Sequence, residues 1–367
     1  MRAGQSWIGA ALFAVLTMSI GACAQASTVA GHRPLATGMS LSNISCPSAN
    51  VCFAVGQDQA GVPVIFKSST GASSWSPQAI PSDIPGGYWM SLSCFSTMRC
   101  VGDIATWLTL NPSVLYTAVI TTTDGGTTWK SQHFNTAASI AHVNELSCTG
   151  LATCFGVGDF AAIMRTSDFG ASWTALPATG LPKPPTCSGC AASGMDAVSC
   201  PPESGTCLVV GHNTHQAFEF GRTAANGTRL VGIARLSGVH LRGYFALSCS
   251  TSRACMVFDY IGSRVLVTTD QGFHWSDRPL PPVVSHVLTA RCTTVEVCTA
   301  IVQVGRSEAF RSATTYDDAV SWHIDSYPLV GATDMSCPTL NRCFAIGGDS
   351  AYWRVGMHAS WVTTPVS

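Results

Sequence analysis

The stretch from Glu145 to Trp173, ELSCTGLATCFGVGDFAAIMRTSDFGASW, carries two signals that recur along the chain. The first is the cysteine pair Cys148 and Cys154. It returns as Cys46–Cys52, Cys94–Cys100, Cys200–Cys207, Cys249–Cys255, Cys292–Cys298 and Cys337–Cys343. Five residues intervene in every pair except Cys200–Cys207, which has six. Aligned on the first Cys, the copies read NISCPSANVCFAVG, SLSCFSTMRCVG, ELSCTGLATCFGVG, AVSCPPESGTCLVVG, ALSCSTSRACMVF, TARCTTVEVCTAIV and DMSCPTLNRCFAIGG. Successive copies lie 48, 54, 52, 49, 43 and 45 residues apart. That period is too long for leucine-rich or ankyrin repeats and suits the four-stranded blade of a propeller.

The second signal follows each pair by about 20 residues. It reads TTTDGGTTW (Thr121 to Trp129), RTSDFGASW (Arg165 to Trp173) and VTTDQGFHW (Val267 to Trp275). Worn copies are KSSTGASSW (Lys67 to Trp75) and TTYDDAVSW (Thr314 to Trp322). The fourth repeat keeps Asn226-Gly227-Thr228 and the seventh keeps Ser360-Trp361. A strand ends at the Thr, the Asp caps a turn by accepting backbone N–H bonds, and the Gly takes the positive-φ place. The Trp then packs back between strands. The motif resembles the Asp-box, or BNR repeat, and the resemblance spans essentially all of residues 40–367. It implies that Asp124, Gly126, Trp129, Asp168, Gly170, Trp173, Asp270, Gly272 and Trp275 are structural.

Strand A of each repeat ends at the first Cys and strand B starts at the second. Strand C enters the box and strand D leaves from its Trp. The expectation is an all-β chain, a single seven-bladed propeller of four-stranded blades with a hairpin disulfide in each. Repeats start near 40, 89, 143, 195, 244, 287 and 332. The ring closes either by blade packing or by a strand drawn from residues 28–39.

Composition agrees. Of 367 residues 11% are charged, with 34 Gly, and the net charge is −1. The chain is too apolar for disorder, and no basic stripe is present to neutralise phosphates, so nucleic acid is not an expected partner. Asp, a turn former, far outnumbers Glu, a helix former.

The N-terminus reads as an export signal over residues 1–23, followed by a linker over 24–39. Arg2 precedes the apolar run WIGAALFAVLTMSI (Trp7 to Ile20), which is too short to span a bilayer. Ile20-Gly21-Ala22-Cys23 resembles a bacterial lipoprotein signal, whose Cys23 would be acylated. Cleavage at an A-x-A site, Ala22-Cys23-Ala24 or Ala24-Gln25-Ala26, is the alternative. Either way the mature chain is expected outside the cytoplasm, at a cell surface or the periplasmic side of a bacterial membrane, or secreted. Lipidation also accounts for the odd member of the 17 cysteines. Zinc is disfavoured for the others because the spacings are not those of tetrahedral knuckles, so disulfides and no metal are expected.

The A–B and C–D turns share one face, built for stability. The B–C and D–A loops share the other, where variation and function concentrate. Three features stand out there. Carboxylates follow strand B at Asp103, Asp159, Asp259 and Asp349, with His212 in the fourth blade; they line a channel mouth or merely cap turns. The loop from Leu176 to Asp196 holds Cys187-Ser188-Gly189-Cys190, read as a stiffening disulfide rather than a redox motif. Aromatics gather at Tyr88-Trp89, Trp107, Tyr244-Phe245 and Tyr352-Trp353, where they stack on a ligand or fill gaps between blades. The ligand candidates are thus Asp103, Asp159, His212, Asp259, Asp349, Trp89 and Tyr244.

No G-x-S-x-G elbow, H-E-x-x-H motif or phosphate-binding Gly-rich loop occurs, so no catalytic residue and no cofactor is assigned. Asp-box propellers include sialidases, xyloglucan-cleaving glycosidases, sortilin-type receptors and the photosystem II assembly-factor family. A sialidase ring has six blades, an arginine trio and a Tyr–Glu pair; this chain has seven repeats and five Glu in all. Glu145 and Glu308 have no assignable Tyr. The leading expectation is a monomeric, lipid-anchored, non-catalytic propeller that binds a protein or a cell-surface glycan through its variable face. The alternative is a glycoside hydrolase or lyase working through two channel carboxylates.

Overall fold

The computed structural model describes residues 38–366, apart from 85, 109–110, 134–142, 151, 159–161, 177–193, 203, 213–217, 224–226, 236–244, 262–263 and 307–308. Cys23, Cys187 and Cys190 lie outside the described residues. The chain forms seven antiparallel sheets of four strands, each in sequential order A-B-C-D. The A strands are Ser40–Ser45, Tyr88–Ser96, Val143–Thr149, Gly194–Ser199, Phe245–Cys249, Val284–Cys292 and Ala332–Thr339. They line the axial cavity, and each touches the next around the ring. The seven-bladed propeller is therefore the fold.

Strand B shows why these residues form blades. Its side chains alternate between two faces, and in a propeller both faces are buried against neighbouring blades. In the first blade Cys52 and Ala54 pack against the seventh, whereas Phe53 and Val55 pack against the second. Seven apolar clusters result, one at each seam. Seven disulfides staple the A–B hairpins, among them Cys148–Cys154 and Cys200–Cys207.

The ring closes by blade packing. All four strands of the seventh blade come from its own repeat. Leu41 N–H donates to Gly348 O (2.9 Å), and Thr364 Oγ1 donates to Ala72 O (2.7 Å). Leu41, Ile44, Phe344 and Ile346 share one cluster across that seam.

The C–D turns are built alike. Thr122 Oγ1 donates to Asp124 Oδ1 (2.9 Å) and accepts from Gly126 N–H (2.9 Å), while Thr128 N–H and Oγ1 donate to the Asp124 carboxylate (2.9 and 2.6 Å). Asp168, Asp270 and Asp317 are held in the same way. The hydrogen bonds from Thr128 lower Asp124 to about 2, and those from His274 do the same for Asp270. The turn needs two successive positive-φ residues, Gly125 and Gly126 in the second blade. A Cβ on Gly126 (φ +87°) would lie 2.8 Å from the Phe53 ring. Gly126→Ala is therefore expected to lower stability by about 2 kcal/mol or more in urea denaturation. The turns of the first and sixth blades carry Ala72 and Ala319 at this place, so an unchanged midpoint would show that the Phe53 ring yields to the added methyl.

The tryptophan that ends the turn reaches back across a seam. Trp129 meets Phe53 edge-on (6.1 Å between ring centres), Trp275 meets Phe220 (5.3 Å) and Trp322 meets Phe258 (5.9 Å). In the seventh blade Trp361 Nε1 donates to Ser312 Oγ (3.0 Å). Each of these repeats thus completes the packing of its neighbour.

The described aromatics among those expected in loops prove to be strand residues. Tyr88 and Trp89 lie in strand A of the second blade, and Trp107 in its strand B (Arg99–Leu108). Phe245 opens strand A of the fifth blade; Tyr352 and Trp353 lie in strand C of the seventh (Ser350–Val355). Trp89, Phe245 and Tyr352 are buried, as the gap-filling alternative required.

Candidate functional site in the axial channel

The channel wall is made by the residues just before the first Cys of each repeat. Ser45, Ser93, Ser147, Ser199, Ser248 and Ser336 all stand one place before it. Each hydroxyl oxygen accepts the N–H of the corresponding Cys in the next blade, at 2.9, 3.2, 3.0, 2.9, 2.8 and 3.0 Å in that order. Ser336 to Cys46 closes the circle. In the sixth blade Arg291 occupies this place.

A second set of bonds lies three places before the Cys. Ser91 Oγ accepts Leu146 N–H (2.9 Å), Glu145 Oε2 accepts Val198 N–H (3.0 Å) and Asp334 Oδ2 accepts Ile44 N–H (3.0 Å). Arg291 Nη2 donates to Asp334 Oδ1 (3.0 Å), and its Nη1 donates to Thr289 Oγ1 (3.0 Å) and Ala290 O (2.9 Å). Together these groups line a polar cavity of about 420 Å³ on the propeller axis, with Asn43, Asn144 and Asp196 also in its wall.

Burial dominates the electrostatics. It raises Glu145 to about 7, with the Arg291 charge opposing and the Asp334 charge reinforcing the shift. It also raises Asp334, against the pull of Arg291 and the hydrogen bonds from Ile44, Met335 and Thr289. Among the described residues the channel therefore holds Arg291 fixed to Asp334, and a glutamate whose pKa burial raises to about 7. That set suits hydrogen bonding to a polar ligand. Among the described residues no group of three or more His, Cys, Asp or Glu is placed to hold a metal ion.

The residues singled out from sequence scatter. His212 ends strand B of the fourth blade (Leu208–His212), and its Nδ1 lies 2.9 Å from Oδ2 of Asp196 in the channel wall. Asp103 is wholly buried at the seam between blades 2 and 3. Asp259 is the last residue of strand B in the fifth blade (Cys255–Asp259) and is buried. Asp349 sits in the B–C turn of the seventh blade, where its Oδ1 accepts from Ser350 Oγ (3.1 Å). Trp89 lies in the core between the first two blades, 4% exposed, which leaves a ligand no face to stack on. The four described acids Asp103, Asp259, Asp349 and Glu145 are thus not one ring; Asp159, Tyr244 and Glu308 lie outside the described residues. Sequence reading passed over Asp196, Arg291 and Asp334 as site residues. Two of the three were visible in the aligned repeats, as the D of DMSC and the R of TARC.

No protein-family model matches the sequence, and no curated protein does. Solved structures do match in fold. YCF48 bound to D1 peptide aligns with TM-score 0.60 at 15% identity, over 91% of this chain and 94% of that one. The GH74 xyloglucanase from Xanthomonas campestris aligns with TM-score 0.63 at 11% identity, over 89% of this chain but 53% of its own length. The BP39L lectin from Burkholderia pseudomallei aligns with TM-score 0.56 at 14% identity, over 90% and 99%. At these identities the likeness is one of fold. No helix among the described residues is long and apolar enough to cross a membrane, and the disulfides fit an oxidising, extracytoplasmic environment.

Proposed function

We propose that the chain is an exported, lipid-anchored binding module with Asp-box blades, which takes a polar ligand at its axial channel and the surrounding loop face. The ligand is a cell-surface glycan or a polar segment of a partner protein. The observation that carries this reading is the channel wall itself. Its carboxylates already serve as acceptors for main-chain N–H groups of the next blade, so they hold a shape for a ligand to fit. The fold likeness to a peptide-bound assembly factor and to a lectin supports the same choice.

Arg291→Ser provides the test, because Ser is the residue that six blades already carry at this place. The variant should fold, with a melting temperature lowered by a few degrees because the buried Asp334 loses its cation. It should lose binding roughly tenfold or more, because a charged donor leaves the channel. Binding is read on a glycan array and by crosslinking to envelope proteins of the producing cell, wild type against variant. Equal binding by both proteins removes the channel from the site.

A hydrolase reading draws on one observation, the displacement of Glu145 to about 7, where a general acid works. It requires turnover of aryl glycosides by the wild type and its loss in Glu145→Gln.

A further inference from the structure

The seventh blade keeps only the end of the capped turn, Ser360-Trp361, and replaces the rest. His358 stands three places before Trp361. Counted in the same way from Trp75, Trp129, Trp173, Trp275 and Trp322, that place holds Ala72, Gly126, Gly170, Gly272 and Ala319. In those turns the place faces the preceding blade: a Cβ on Gly126 would meet Phe53 of blade 1, and one on Gly272 would meet Phe220 of blade 4. Blade 7 puts an imidazole where the others put a hydrogen or a methyl.

The imidazole meets blade 6. Its ring centre lies 5.3 Å from that of Tyr316, with the planes tilted by 45°. It lies 6.4 Å from that of His323, which directly follows Trp322 and opens strand D (His323–Ile324). Tyr316 OH donates to Met357 O (3.1 Å), which fixes the blade 7 turn to blade 6. Both histidines are exposed. Elsewhere the imidazoles are engaged: Nδ1 of His212 bonds Asp196, that of His274 bonds Asp270 and that of His286 meets Ser285. Among the described residues no hydrogen bond or ion pair engages His323 or His358. Two uncommitted imidazoles from neighbouring blades therefore stand side by side at the rim.

We propose that His323 and His358 chelate a divalent transition-metal ion across the seam between blades 6 and 7, copper(II) in preference to nickel(II) or zinc(II). Imidazole suits all three ions, and for a given nitrogen site affinity peaks at copper. An ion about 2.0–2.1 Å from one nitrogen of each ring sets the ring centres about 5–6.5 Å apart, according to the angle at the metal. The observed 6.4 Å lies at the wide end of that range. Rotation of two exposed side chains supplies the narrower angles. Water fills the remaining positions, in keeping with the absence of a three-ligand group among the described residues. Because the ion joins two blades, it stabilises the folded ring by linkage. The site sits at strand D and the C–D turn, apart from the axial channel lined by the A strands.

The experiment titrates the chelator-stripped full chain with copper(II), read by calorimetry and by electron paramagnetic resonance. His323→Ala, His358→Ala and the control His274→Ala are carried through the same titration. Wild type and His274→Ala are expected to give one copper signal split by two imidazole nitrogens, and to melt at a higher temperature with the ion than without. His323→Ala and His358→Ala are each expected to bind copper roughly tenfold or more weakly and to lose one nitrogen coupling. Circular dichroism without copper checks the fold of each variant. Should His358→Ala fold poorly, His323→Ala leaves the blade 7 turn untouched and carries the test. Wild-type affinity in either folded variant overturns the proposal, as does a wild-type signal with fewer than two coupled nitrogens.

Discussion

Full reduction of the hairpin disulfides should unfold the propeller without denaturant. Each bridge joins residues six or seven apart in sequence. Closing so short a loop restricts the unfolded chain by about 2 kcal/mol per bridge. Seven bridges therefore supply on the order of 15 kcal/mol, as much as the whole stability of an ordinary domain. The sulfurs are also packing atoms, for Cys52, Cys100, Cys154, Cys207 and Cys298 are wholly buried in the seams. Circular dichroism and tryptophan emission should both collapse after treatment with reductant under otherwise native conditions. Replacement of one pair, Cys94→Ala with Cys100→Ala, should cost about 2 kcal/mol and leave the ring folded. A fully reduced chain that still melts cooperatively, with its tryptophans buried, would show that blade packing suffices without the staples.

The second large effect has the opposite sign. Asp103 occupies the place in strand B that Val55, Val157, Val210, Phe258, Ile301 and Ile346 fill in the other blades, three residues after the second Cys. All seven are essentially inaccessible to solvent. Neither carboxyl oxygen of Asp103 has a hydrogen-bond partner, and neither does Oγ1 of the buried Thr117 on the neighbouring strand. Burial raises the Asp103 carboxyl well above its ordinary 3.8.

Asp103→Val should therefore stabilise the protein by about 2–4 kcal/mol, combining relief of an unpaired polar group with burial of an aliphatic one. The pH dependence follows from the sign of the shift. A group whose folded pKa is raised contributes fully below its unfolded pKa, and that contribution is lost as pH rises through the folded value. The wild type should thus lose stability to this residue above about pH 4, and the advantage of the variant should widen with pH. Urea midpoints at pH 5 and pH 8 test both statements. A lower midpoint for Asp103→Val, or a gain that does not grow with pH, would mean that the carboxyl is held by something in the seam.

The repeats made the blades legible, because the cysteine pair and the capped turn are both local. Hairpin and turn geometry follow from residues a few places apart. The site was harder to read because it depends on which way a strand residue points. Asp103, Asp259, Asp159 and Asp349 follow the second Cys of their repeats by three, four, five and six places. Side chains alternate along a strand, so a common neighbourhood in sequence did not give the described Asp103, Asp259 and Asp349 a common direction. Asp196 was hidden by a different cause. A register shift between Met195 and Ala197 leaves it outside the regular ladder, on the channel side beside His212.

The ring of serines gives the propeller the character of a head-to-tail chain of identical couplings. Every serine-bearing blade presents a hydroxyl forward, and its successor answers with a cysteine amide. The coupling uses only the dipeptide Ser-Cys and says nothing about the rest of the repeat. Whole repeats can therefore be copied, dropped or diverged in their loops while the joints between them stay interchangeable. The junction after Arg291 has exchanged that standard joint for a charged one, and there the ring gives up interchangeability for a chemical group of its own.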